Sequence, residues 1–230
     1  SQAKLALFTH SLPQVEALEP FLSKDRLEPY MKFGSRDKVR AFKLHEANRL
    51  LSQAIYGPLQ YVELVLRNSL SRQLALGTKT DAWYDLPVFA EPECRQIAKA
   101  KSYLGDEGKS VTSPRMVAAL SFGFWVGLLR GSYARTLWNP CLHKAFAANT
   151  SLKHKDAHDR FASILSLRNR VAHHEPILFR HRDLLLEVDR IAVALGWIEP
   201  AASEWCRAVA LLEVAAAYEL ARKLTAPLPT

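Results

Sequence analysis

A chain of 230 residues suits one domain, or one domain with an appendage, and is long enough to bury a core of its own. Hydrophobic residues at 49% and charged residues at 23% exclude a disordered chain, and three cysteines exclude a disulfide scaffold. The formal charge of +8 is concentrated: from Arg95 to Arg160 there are eleven Lys/Arg against four Asp/Glu, a basic stretch that either attracts a polyanion such as nucleic acid or is a solvated positive face.

In chain order the pattern is helical. Pro13, Pro20 and Pro29 punctuate two short helices, around 14–23 and 26–33. Ser35 is placed to cap a long helix that begins near Arg36 and runs through Leu51 and Ile55. Gly57–Pro58 is expected to break or kink it, because proline lacks a backbone donor and clashes with the preceding turn. Helical spacing resumes from Leu59 to about Leu76, with Gly77 as the stop. A loop over Thr78–Glu91 holds Trp83, Tyr84, Pro87 and Phe89, and a helix follows from Pro92 to Leu104. Gly105–Ser110 reads as an exposed loop. Ser113–Pro114 opens a helix to about Arg130, and 131–152 reads as irregular apart from one short helix near Leu142–Ala147. A strong helix spans Asp156 to about Ala172 and halts near Pro176. Two more follow, about 182–195 and 201–223, separated by Gly196 and Pro200.

The spacing predicts an all-α fold, most simply a helical bundle over 35–230 with an N-terminal helical extension over 1–34. Cys94, Cys141 and Cys206 form no CxxC pair, which fits a reducing cytoplasm. No basic region followed by a long apolar run opens the chain, so no secretory leader is expected. Val117–Leu129 and Ala208–Tyr218, the most apolar stretches, are too short to cross a bilayer, and no membrane partner is expected.

Two places break the apolar pattern. On the helix from Asp156 the stripe is Ala157, Phe161, Ile164, Leu165, Val171 and Ala172, and Arg168 falls within it. A guanidinium there must be paired or must line a wet cleft. One turn later come His173 and His174, then Glu175–Pro176. Arg168 and His173 stand about 140° apart around an ideal helix, whereas Asn169 and His173, at i and i+4, share a face. In the structural alternative Arg168 pairs with a core carboxylate and the histidines cap the helix C-terminus. The chemical alternative is ribonucleolytic: histidine serves as base or acid, and arginine grips phosphate. The second break lies on 59–76, apolar nearly all round, where Glu63 and Arg67 are spaced for an ion pair. Trp83, Trp125 and Trp138 are either base-stacking or core side chains. His154 and His158, at i and i+4, lack the carboxylate that would complete an HExxH metal pattern, and solvent-exposed histidines are the simpler reading.

The segment Leu167-Arg168-Asn169-Arg170-Val171-Ala172-His173-His174-Glu175-Pro176 resembles the Arg-x4–6-His signature of HEPN domains (higher eukaryotes and prokaryotes nucleotide-binding). Tyr61-Val62-Glu63-Leu64-Val65-Leu66-Arg67-Asn68 is similar to the Glu-x3-Arg-Asn helix of the Abi-like (abortive infection) branch, and Leu120–Leu129 to a further stretch of it. These matches span about 40–195. The resemblance implies a HEPN-type antiparallel bundle with extra N- and C-terminal helices. It implies a metal-independent endoribonuclease without cofactor, used as a toxin or in phage defence. Arg168 and His173 would be catalytic, with Asn169, Arg170, His174, Glu63, Arg67 and Asn68 supporting them or binding RNA. A homodimer with a composite active site and a protein or small-RNA antitoxin are the implied partners. Some members of the family only bind RNA or protein, so a catalytically silent RNA-binding or regulatory module is the alternative.

Overall fold

Ser11 and Gln14 close a capping box in which the Gln14 side chain accepts the Ser11 N–H at 2.9 Å, and helix α1 (Leu12–Leu22) follows. The computed structural model describes residues 11–178 and 184–225; the first part of the N-terminal extension and the start of the helix expected from 182 lie outside them. After α1 come α2 (Lys24–Phe33), α3 (Lys38–Thr78), α4 (Glu91–Asp106), α5 (Ser113–Ala119), α6 (Phe122–Gly127), α7 (His154–Ala172), α8 (Leu184–Ile198) and α9 (Pro200–Thr225). Single helical turns at Trp83–Asp85, Gly131–Tyr133, Ala134–Trp138 and Leu142–Phe146 fill the intervals. The fold is all-α: among the described residues there is no strand. Among the described residues no helix is long and apolar enough to cross a membrane.

Local chemistry moves several boundaries away from their expected places. Ser35 and Arg36 both adopt left-handed backbone (φ 57° and 63°), so Ser35 cannot cap α3. Asp37 does so instead, its carboxylate accepting the Arg40 N–H at 2.8 Å. Gly57–Pro58 does not break α3, which continues as one helix of 41 residues. An interior proline costs about 3 kcal/mol, and here Ile55, Pro58, Leu59 and Val62 are all buried around it, so packing outweighs the lost donor. Gly77 is no stop either. A Cβ there would meet Cys141 Cβ at 2.4 Å, so glycine at 77 permits a close approach. The helix ends one residue later, before Lys79 at φ 56°. The expected helix from Ser113 to Arg130 divides because Leu120 is extended (ψ 137°) and Ser121 caps a new start, accepting the Phe124 N–H.

The contacts sort the chain into two compact units. The first takes the described residues of Ser1–Pro58, Leu167–Asp189 and Arg207–Thr230; the second takes Leu59–Ser166 and Arg190–Cys206. Helix α3 passes from one to the other at Pro58. In the first unit Val15, Leu27 and Phe42 form one cluster and Tyr30, Ala41 and Leu44 another, so α1 and α2 are packed upon the start of α3. In the second, Trp83, Tyr84, Phe89, Phe124 and Trp125 pack edge to face or tilted at 5.1 to 6.3 Å between centroids. Trp138, Phe146, Phe161 and Trp197 form a second aromatic chain. Trp83, Trp125 and Trp138 are all core side chains. On the side of 59–76 away from Val62, Leu66 and Leu70, Tyr61 stacks on Trp205 at 3.6 Å.

Glu93 is the most deeply buried acid of the second unit, at 2% exposure. The Tyr133 hydroxyl donates to it at 2.7 Å and accepts the Ala90 N–H at 2.8 Å, while Arg130 lies 3.4 Å from its other oxygen. Burial pushes the Tyr133 phenol up to about 12, with Glu93 adding to the effect and the Ala90 amide opposing it. Tyr133→Phe removes a donor from a sealed carboxylate and is expected to lower the unfolding free energy by about 1–3 kcal/mol, measured by urea denaturation; an unchanged midpoint contradicts this role.

Candidate functional site at the end of helix α7

Helix α7 buries Ala157, Phe161, Ile164, Leu167 and Val171. Leu167, absent from the stripe read in the sequence, takes the inward position; Leu165 is half-buried and Ala172 exposed. Arg168 is therefore at the edge of the stripe, half-buried, with Nη1 3.4 Å from Asn169 Oδ1. Asn169, His173 and His174 are exposed and Arg170 is half-buried.

The helix ends in a defined hydrogen-bonded turn. The His173 N–H still bonds Asn169 O at 2.9 Å. His174 then turns left-handed (φ 56°), its N–H reaching Val171 O at 3.1 Å while the Glu175 N–H reaches Arg170 O at 2.8 Å. This paired closure normally carries glycine at the left-handed position. A side chain there costs roughly 1–2 kcal/mol, and two side chains from elsewhere in the same unit, with one from α7 itself, hold the turn in place. Arg26 of α2 donates through Nη1 to the carbonyls of His173 at 2.9 Å and His174 at 3.2 Å. Asn48 of α3, only 5% exposed, accepts the Ile177 N–H at 2.6 Å and the Leu178 N–H at 3.1 Å through Oδ1, and its Nδ2 donates to Glu175 O at 3.4 Å. Arg170 donates to Pro176 O and lies 3.4 Å from the Glu175 carboxylate. The histidines do occupy the helix C-terminus, as the structural alternative has it, and both rings remain open to solvent.

Arg26 and Asn48 are the residues that sequence reasoning missed. Asn48 carried a readable signal: it falls at a core position between Leu44 and Leu51, where a polar group needs partners. Arg26 carried none. Nearby on α3, Glu46 lies between His45 Nδ1 at 3.6 Å and Arg49 Nε at 2.8 Å. His45, and with it Arg49, holds the Glu46 carboxyl down to about 2, against the opposing effect of partial burial.

Glu63, Arg67 and Asn68 belong to the second unit. Glu63 and Arg67 are half-buried and Asn68 exposed. Arg67 and Asn68 line a cavity of about 500 Å³ with Ser71, Arg72, Asp81 and Ser113, and Arg67 Nε is buried without a hydrogen-bond partner among the described residues. Of the two histidines on the first turns of α7, His158 lies 3.2 Å from Asp159. Among the described residues no three of His, Cys, Asp and Glu are grouped to hold a metal ion.

No protein-family model, curated protein or solved structure matches the chain.

Asn48→Ala orphans the buried Ile177 amide and the half-buried Leu178 amide and is expected to cost about 2–4 kcal/mol, with faster hydrogen exchange at Ile177 and Leu178; unchanged protection there rejects the clamp. Ionised Glu46 is favoured in the folded protein, so its stabilisation is complete above the ordinary carboxylate range and is lost as pH falls through about 2. Glu46→Gln is expected to lower stability by roughly 1–3 kcal/mol at pH 7, and thermal melts should show the gap closing towards pH 2.

Proposed function

We propose that this chain is a HEPN-type helical bundle of the Abi-like kind and acts as a metal-independent endoribonuclease, serving as a toxin or phage-defence effector. The observation that carries the reading is the run Arg168-Asn169-x3-His173 at a solvent-open helix end whose following turn is braced by Arg26, Asn48 and Arg170. Catalysis of this kind needs preorganised groups beside water, and a braced turn supplies them without loop ordering at the moment of reaction.

In the proposed reaction His173 takes the proton of a ribose 2′-hydroxyl as that oxygen attacks the adjacent phosphorus. The phosphorus–oxygen bond to the 5′-oxygen breaks, and that oxygen leaves with a proton from an acid, giving a 2′,3′-cyclic phosphate and a 5′-hydroxyl. Arg168 neutralises the phosphate oxygens, and Asn169 positions Arg168 through the Oδ1 contact. Because α7 is regular through Ala172, Arg168 and His173 of one chain leave the helix about 140° apart. The family resemblance supplies the remedy, a composite cleft completed by a second copy of the chain. The basic stretch from Arg95 to Arg160 steers RNA electrostatically, and an antitoxin, protein or RNA, restrains the activity in the cell.

Purified protein freed of copurifying inhibitor is expected to cut RNA in the presence of EDTA and leave 2′,3′-cyclic phosphate ends. His173→Ala should lower the rate by at least about 100-fold and Arg168→Ala comparably, and the native mass should be that of a dimer. Undiminished cleavage by the Arg168→Ala/His173→Ala double variant would falsify the assignment; binding of RNA with no cleavage under any condition would leave a silent RNA-binding module.

A further inference from the structure

The cavity of about 500 Å³ lies wholly within the second unit, between α3 and α5, with Asp81 of the intervening loop in its wall. Its volume is that of a site for a small organic ligand. Two guanidinium groups belong to the lining, those of Arg67 and Arg72. Neither is paired with a carboxylate or hydrogen-bonded among the described residues, and the Nε of Arg67 is buried. A buried donor without an acceptor is costly, and folding alone does not explain it. The Asp81 carboxylate, in the same lining, forms no ion pair among the described residues either. Charges of both signs thus border one space without meeting. Ala75, Leu76 and Val117 make much of the remaining wall apolar, and Leu76 is 66% exposed.

We propose that this cavity binds a zwitterionic small molecule, an ammonium and a carboxylate joined to an apolar side chain, as in an α-amino acid. Guanidinium groups grip a carboxylate through paired N–H donors. Asp81 takes the ammonium, and the apolar side chain lies against Ala75, Leu76 and Val117. The Asn68 amide and the Ser71 hydroxyl offer donors and acceptors to the remaining polar atoms. A phosphate or another simple oxyanion would use the arginines but would be repelled by the Asp81 charge. A ligand of both signs satisfies all three groups. A short peptide with free termini offers the same chemistry as a free amino acid. No residue of this site belongs to the Arg168–His173 motif, so the inference stands whether or not the chain cuts RNA.

The test measures binding to the full chain by calorimetry, with leucine, phenylalanine and the dipeptide leucyl-leucine as probes. N-acetyl-leucine, which lacks the ammonium, and leucinamide, which lacks the carboxylate, are the matched controls. Arg72→Gln and Asp81→Asn alter exposed side chains and should leave the melting temperature unchanged. Each is expected to weaken amino-acid binding by about tenfold or more. The sharper expectation is pairwise: Asp81→Asn weakens leucine but not N-acetyl-leucine, and Arg72→Gln weakens leucine but not leucinamide. Tighter binding of the amino acids than of the dipeptide identifies a free amino acid as the ligand, and the reverse identifies a short peptide; both support the site. No binding of amino acids or dipeptide overturns it, as does binding that both variants retain or that both controls match. A 2′-O-methyl octanucleotide is the last probe. If it alone binds, and Arg72→Gln abolishes that binding, the cavity takes RNA phosphate and the zwitterion is rejected.

Discussion

The Asn48 carboxamide lies in an apolar interior where an unmatched polar group costs several times what a matched one contributes. Among the described residues its hydrogen bonds are closed by one stretch of backbone, the amides of Ile177 and Leu178 and the carbonyl of Glu175. The dependence runs both ways. Ile177 is itself fully buried, so its amide has no access to water, and without Asn48 the chain after α7 would have to leave the interior. One side chain on α3 therefore fixes the path of the segment that follows the two histidines.

Charge reinforces this geometry. The last carbonyls of a helix carry partial negative charge, and a cation close to them is favoured. Arg26 sits on the carbonyls of both His173 and His174, and Arg170 turns back to Pro176 O. These contacts make the left-handed His174 tolerable where glycine would be the unconstrained choice. They also occupy backbone acceptors, and both histidines are exposed. A turn held through its backbone leaves its side chains available, which is the arrangement a proton-transfer site needs.

Helical periodicity was readable almost everywhere, because an apolar stripe at 3.6-residue spacing is written locally. The errors came where a distant contact overrode a local signal. Pro58 predicts a break, yet Ile55, Leu59 and Val62 bury around it and the helix persists. Gly77 predicts a stop, yet its role is to admit Cys141, sixty-four positions further on and invisible to any window of sequence. Leu120–Ser121 holds a capping serine that the long apolar run after Ser113 concealed. At the site, the chain's own residues 168–174 were legible as a departure from pattern. Their brace was not: Arg26 is 147 residues away and exposed, with nothing in its neighbourhood to mark it.

Asn48 and Arg168 are the same kind of anomaly in sequence, a polar residue at or beside an apolar stripe, and the structure separates them. Asn48 is sealed, and its capacity is spent on buried backbone; substituting it should change stability first and activity only through the turn. Arg168 is displaced to the edge by Leu167, half in contact with water, beside exposed Asn169 and one turn before exposed histidines. A group that can reach solvent can also reach a solute, and a permanent cation there attracts an anion. The physical difference between a structural and a chemical polar residue on a helix is thus a rotation of about 100°. On α7 that rotation is set by which of two neighbours, Leu167 or Arg168, the core accepts.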